Sequence, residues 1–186
     1  SRIGRINLQD GKTEKAREKA ELILEKSPTN TEAMSLLAAT QIQDKDLESA
    51  FATLEKAISI DPNHVGHQLA LARLHLFKGD LVQAEKAYQR AITLDPTSRV
   101  LYAELSRLYG KKGEWDKAEA VLKKMVEASA SKSQDLQVLA RFYEGQKKWD
   151  LAEKTYLEAV DASAQGDVRP LISLGGYYAR RKSYDK

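Results

Sequence analysis

The chain contains no cysteine, which excludes disulfides and thiolate metal sites at the outset. Of its three histidines, His64, His67 and His75, the first two lie three apart and share a face, but two imidazoles alone rarely close a metal site and a third ligand such as Asp61 would be needed. Ten glycines include no phosphate-cradling loop, and no serine sits in a strand–turn–helix elbow. An excess of one charge is also lacking. Thirty basic and 27 acidic residues leave a net charge of +3, a mixed solvated surface and not the basic excess of a nucleic-acid binder. Charged residues make up 31% of the chain and apolar runs are short, so no membrane-spanning segment is expected. No signal peptide is visible, and the missing cysteines fit any compartment, so localisation stays open. The expectation is a non-catalytic chain with no cofactor, no metal and no direct membrane insertion.

Against these absences stands a period. Ala16, Ala50, Ala84, Ala118 and Ala152 recur every 34 residues without slippage. Leu37, Leu71, Leu105 and Leu139 keep the same step, as do Ala38, Ala72, Ser106 and Ala140. Leu54, Tyr88, Leu122 and Tyr156 form a bulky column, and Leu47, Leu81, Trp115 and Trp149 another just after a turn. Pro28, Pro62 and Pro96 mark boundaries. Small residues let helices approach and large ones fill the gaps, so such alternation packs a stack of identical units. Leu69, Ala72 and Leu76, then Ala84, Ala87, Tyr88 and Ala91, fall at helical spacings of three and four. Asp80 is a candidate helix N-cap with Gln83 completing a capping box, and Asp46 is a similar cap. Gly79 and Gly113 precede the bulky column, where a left-handed turn residue is needed. Lys45 and Lys147 take that place in two units, at a cost of about 1 kcal/mol each.

The third unit, with Tyr102, Leu105, Ser106, Tyr109, Gly113, Trp115, Ala118 and Leu122, resembles the tetratricopeptide repeat. The second resembles its ending, with Ala84, Tyr88, Ala91, Asp95 and Pro96. The resemblance implies an all-α, right-handed superhelical solenoid of antiparallel helix pairs. It divides residues 1–186, read as a single array, into a partial repeat 1–30, repeats 31–64, 65–98, 99–132 and 133–167, and a partial repeat 168–186. The pattern stops within a unit at both ends, so a fragment of a longer protein is expected. One inserted residue is expected near Gln165–Gly166, after which Leu174, Gly175 and Tyr178 resume the columns.

One column is not required by packing. Arg5, Arg73, Arg107 and Arg141 share the 34-residue phase, broken by Ala39. The resemblance places these residues on first helices, which line the concave face. Four-residue spacing groups Leu69 with Arg73 and Phe77, and Arg107 with Lys111, while Leu76 extends the apolar patch. The candidate groove is therefore Leu69, Arg73, Leu76, Phe77, Arg107, Lys111 and Arg141. Guanidinium groups bind carboxylates in bidentate fashion, so this strip suits an extended acidic peptide or an anionic glycan. The structural alternative is internal pairing, with Glu104 three residues before Arg107 and Glu144 three after Arg141. The carboxylate-gripping pattern of the family's chaperone-binding members is missing, since Ser35 and Ala39 stand at two of its positions. Trp115 and Trp149 are assigned to packing within their units, and His64 and His67 to the polar boundary between repeats.

The leading expectation is a protein-binding scaffold whose partner's identity stays open. A structural component of a bacterial secretion, pilus or polysaccharide-export machine is the first alternative, and the recruiting arm of an enzyme the second. Open repeat ends also permit self-association.

Overall fold

The computed structural model describes residues 13–184, and every regular element among them is an α-helix. The chain is an all-α repeat solenoid made of two compact units. The unit Ser1–Asp95 holds α1 (Thr13–Lys26), α2 (Thr31–Gln43), α3 (Leu47–Ile60), α4 (Val65–Lys78) and α5 (Leu81–Leu94). The unit Pro96–Lys186 holds α6 (Arg99–Lys112), α7 (Trp115–Ala128), α8 (Lys132–Gly145), α9 (Trp149–Asp161) and α10 (Arg169–Tyr184). Within each unit every helix packs on the next. First helices also meet across a repeat, α2 with α4 and α8 with α10. Among the described residues no helix is long and apolar enough to cross a membrane.

The alanine column explains how closely the helices approach. Ala16, Ala50, Ala84, Ala118 and Ala152 are each 0% exposed, so nothing larger than a methyl group fits at these positions without repacking. Leu54, Tyr88, Leu122 and Tyr156 fill the space beside them and are buried as well. Two buried tyrosine hydroxyls are satisfied: Tyr143 donates to Glu119 at 3.0 Å and Tyr177 to the Trp149 carbonyl at 2.9 Å. The fully buried Asp135 of α8 is paired with Arg99 of α6, which ties two first helices together.

The turns follow the sequence closely. Gly79 and Gly113 adopt φ of 85° and 73°, and Lys45 and Lys147 hold the same left-handed conformation at 64° and 56°. Asp46 and Asp80 cap α3 and α5, their carboxylates accepting from the Ser49 and Gln83 amides at 3.1 Å. Asp61 and Asp95 close the same two helices at their other ends.

One sequence expectation is corrected near the C-terminus. Pro170, Leu174 and Tyr177 are buried, in step with Leu136, Ala140 and Tyr143 at a spacing of 34, whereas Tyr178 is 43% exposed. The core columns thus keep their period through α10, and no inserted residue shifts them. The aromatic column is continued by Tyr177, whose ring packs on Tyr156 of α9 with centroids 5.3 Å apart, while Tyr178 reaches α9 only with its hydroxyl, at Glu153.

Candidate functional site

In the second unit, α6 buries Leu101, Leu105 and Leu108 on one face and turns Arg107 and Lys111 to solvent on the other. On α8, Leu136, Leu139 and Ala140 go inward and Arg141 is exposed. Between them lies Trp115, the first residue of α7. Its ring rests on Gly110, where an added Cβ would come within 3.1 Å of it. A glycine there lets the indole lie against α6 and stay 44% exposed. The result is a depression of about 570 Å³ with Trp115 and Leu122 at its base, Arg107 and Lys111 on one wall, and Val138, Arg141 and Phe142 on the other.

Its charges are only partly spent. Arg107 approaches Glu104 at 3.5 Å, an exposed and weak pair. Neither Lys111 nor Arg141 makes an ion pair or hydrogen bond among the described residues. Glu144, the expected partner of Arg141, is taken by Arg180 instead. Arg180 Nε lies 2.6 Å from one carboxylate oxygen and its Nη2 3.0 Å from the other, and Tyr156 donates to the same group at 3.1 Å. The Arg180 hydrogen bonds hold the Glu144 carboxyl below its ordinary range against the opposing effect of burial. Arg141 acts on Glu144 through its field without a direct ion pair, and stands exposed at the edge of the depression floored by Trp115.

The remaining candidates lie on α4 of the first unit. Leu69 and Leu76 are half-buried, Arg73 is exposed, and Phe77 is 58% exposed. Leu69, Arg73 and Phe77 share a stripe of that helix, as four-residue spacing requires. The two groups thus belong to different units, and Arg5 lies outside the described residues.

The tryptophan and histidine readings are sharpened. Trp115 packs on its own repeat yet offers nearly half its surface, so its role is shared between core and surface. Gly110, inside a helix and five residues before it, was the available signal of close approach. His67 is no boundary surface residue. It is fully buried and stacks on His64 with ring centroids 4.0 Å apart. Among the described residues, no three His, Cys, Asp or Glu side chains gather as a metal site would need.

A tetratricopeptide repeat model matches residues 7–74, 41–91 and 78–134. The chain belongs to the tetratricopeptide repeat family. Within that family it is built as a scaffold for protein–protein interaction. The repeat continues past the matched residues, since α8, α9 and α10 carry the same buried columns. Solved structures of similar fold include MamA, at 24% identity with a TM-score of 0.64, over 86% of this chain and 94% of that one. Another is a thermophilic repeat protein of Thermus thermophilus, at 23% identity and 0.63 over 96% of each chain. A third is Pseudomonas aeruginosa pilF, at 17% identity and 0.69 over 98% of this chain and 89% of that one. No curated protein matches in sequence.

Proposed function

We propose that the chain is a scaffold that binds an extended, acidic segment of a partner protein, and that the second unit grips this segment in the depression around Trp115. The observation that carries the reading is Arg141, exposed beside a half-exposed tryptophan, with its neighbouring carboxylate already held by Arg180. An aromatic floor supplies contact area at low entropic cost, and a guanidinium supplies a paired hydrogen bond to a carboxylate. Arg107 and Lys111 on the opposite wall add attraction that salt would screen. Leu69, Arg73, Leu76 and Phe77 on α4 offer a second basic and apolar stripe for the same kind of ligand.

The test is a random dodecapeptide library displayed and selected on the intact chain. Selected peptides should carry aspartate or glutamate. The double variant Arg107→Ala, Arg141→Ala should keep its helical circular dichroism and bind them about tenfold or more weakly. Undiminished affinity in that folded variant would refute the assignment. Arg73→Ala, measured separately, reports whether α4 takes part.

A further inference from the structure

The depression around Trp115 has a counterpart one repeat further on. Trp149 opens α9 as Trp115 opens α7, and it lines a second depression of about 610 Å³ together with Arg141, Tyr156, Ile172, Gly176 and Arg180. The correspondence is by position. Trp149, Tyr156 and Ile172 stand 34 residues after Trp115, Leu122 and Val138, three of the residues lining the first. Arg141 borders both, forming the far wall of the first and the near wall of the second.

Their chemistry differs in a definite direction. Where the first has Lys111 the second has Gly145, and where the first has Gly110 the second has Glu144. The Glu144 carboxylate and the Arg180 guanidinium neutralise one another through a double hydrogen bond. The first depression is therefore cationic, and the second is close to neutral apart from the shared Arg141. Gly176 replaces Phe142, and the Arg180 guanidinium lies over it, 3.1 Å from where a Cβ would stand, so the opening of about 610 Å³ is bounded there by a neutralised pair and not by an aromatic ring. Ile172, 68% exposed, provides an apolar edge without a core role.

Building on the reading that the second unit binds an extended acidic segment, we propose that these are consecutive subsites for one such segment. The Trp115 subsite takes an aspartate or glutamate, bound by Arg141 with Arg107 and Lys111. The Trp149 subsite takes an uncharged aromatic or large aliphatic side chain. Equivalent helices that touch, as α8 and α10 do, lie about 10 Å apart. An extended chain advances about 3.3 Å per residue, so the acidic and apolar positions are separated by about three residues. Arg141, at the boundary, sets that register.

The same library selection tests this with different variants. Selected dodecapeptides should show an acid and an aromatic or aliphatic residue at a constant spacing of about three. Trp149→Ala should weaken them about tenfold, and Ile172→Ser, which disturbs no core contact, should weaken them in the same sense. Replacing the peptide acid by its amide should cost affinity on the wild-type chain and little on Arg141→Ala. Peptides that depend on Trp115 and Arg141 but are indifferent to Trp149→Ala and Ile172→Ser would overturn the tandem subsites and leave the single acidic site standing. Peptides without a constant spacing would do the same. Failure to select any binder sensitive to Arg107, Arg141 or Trp115 would overturn both readings.

Discussion

An imidazole with no exposed surface and no completed hydrogen bond is held in its neutral form, and His67 is in that position. Burial lowers its pKa most, and the adjacent His64 ring lowers it further. The backbone carbonyls of Asp61 and Thr31 and the Asp61 carboxylate pull the other way without reversing the shift. His75, packed on Phe51 at 4.9 Å, is lowered in the same direction, again by burial first. A histidine whose folded pKa is depressed binds its proton more readily when unfolded. Stability is thus complete above the unfolded value of about 6.5 and declines as pH falls below it, by up to about 1.4 kcal/mol per pH unit for each group. Urea midpoints should drop between pH 7.5 and 5.5, and His67→Gln should reduce the drop. Equal midpoints for the wild type at the two pH values would contradict this account. Glu119 does not confuse the window. Burial raises its pKa, but hydrogen bonds from Lys123, Lys148 and Tyr143 outweigh that and hold it at about 2. Its contribution is lost only as pH falls below the ordinary carboxylate range. The burial of His67 was not legible in the chain because a histidine three residues from another reads equally as a polar helix start. Its alignment with Thr31 across the boundary depends on how α2 meets α4, a contact between residues far apart in sequence.

At the scale of the element, the turns were readable because one backbone geometry recurs with different side chains. Residues 45, 79, 113 and 147 all take positive φ, and the next amide reaches back in each, for example from Asp80 to the His75 carbonyl and from Lys148 to the Tyr143 carbonyl, both at 2.9 Å. Only glycine occupies that conformation without cost. Lys45→Gly and Lys147→Gly should each stabilise the chain by about 0.5–1 kcal/mol, part of the relief being offset by the freer unfolded chain. Gly79→Lys and Gly113→Lys should destabilise it by a similar amount. Thermal melts of the four variants decide the matter, and a lysine-to-glycine change that lowers the melting temperature would show that the side chain does more than tolerate the turn. The ion pairs on the same helices were harder to read. Glu144 lies three residues from Arg141 on one helix, yet it binds Arg180, 36 residues away, in bidentate geometry. Helical spacing makes the first pair available, but the double hydrogen bond to a neighbouring helix is the stronger arrangement. Nothing in local spacing predicts that preference, and it is what leaves Arg141 without a direct ion pair to Glu144.

At the scale of the whole molecule, a period of 34 in the buried columns means that each helix finds its partners among its neighbours in sequence. Fold class was legible for that reason, since every repeat states the same packing problem again. The division into the units Ser1–Asp95 and Pro96–Lys186 was not, because the repeat columns run through residue 95 without a break. Nearest-neighbour packing has a consequence for stability: a defect in one repeat should be felt locally and fade with distance along the chain. Ala152 supplies a clean perturbation, being 0% exposed at the centre of the α8, α9 and α10 packing. Ala152→Leu would overpack that site at a cost of about 1–3 kcal/mol. Amide exchange in the variant should accelerate in α8, α9 and α10 while α1, α2 and α3 keep their protection. Uniform acceleration in all the described helices would instead mean that the array opens as one cooperative body. If the loss is local, the second unit can be loosened around its basic depression without unfolding α4, and the two candidate binding stripes can then be tested independently in one chain.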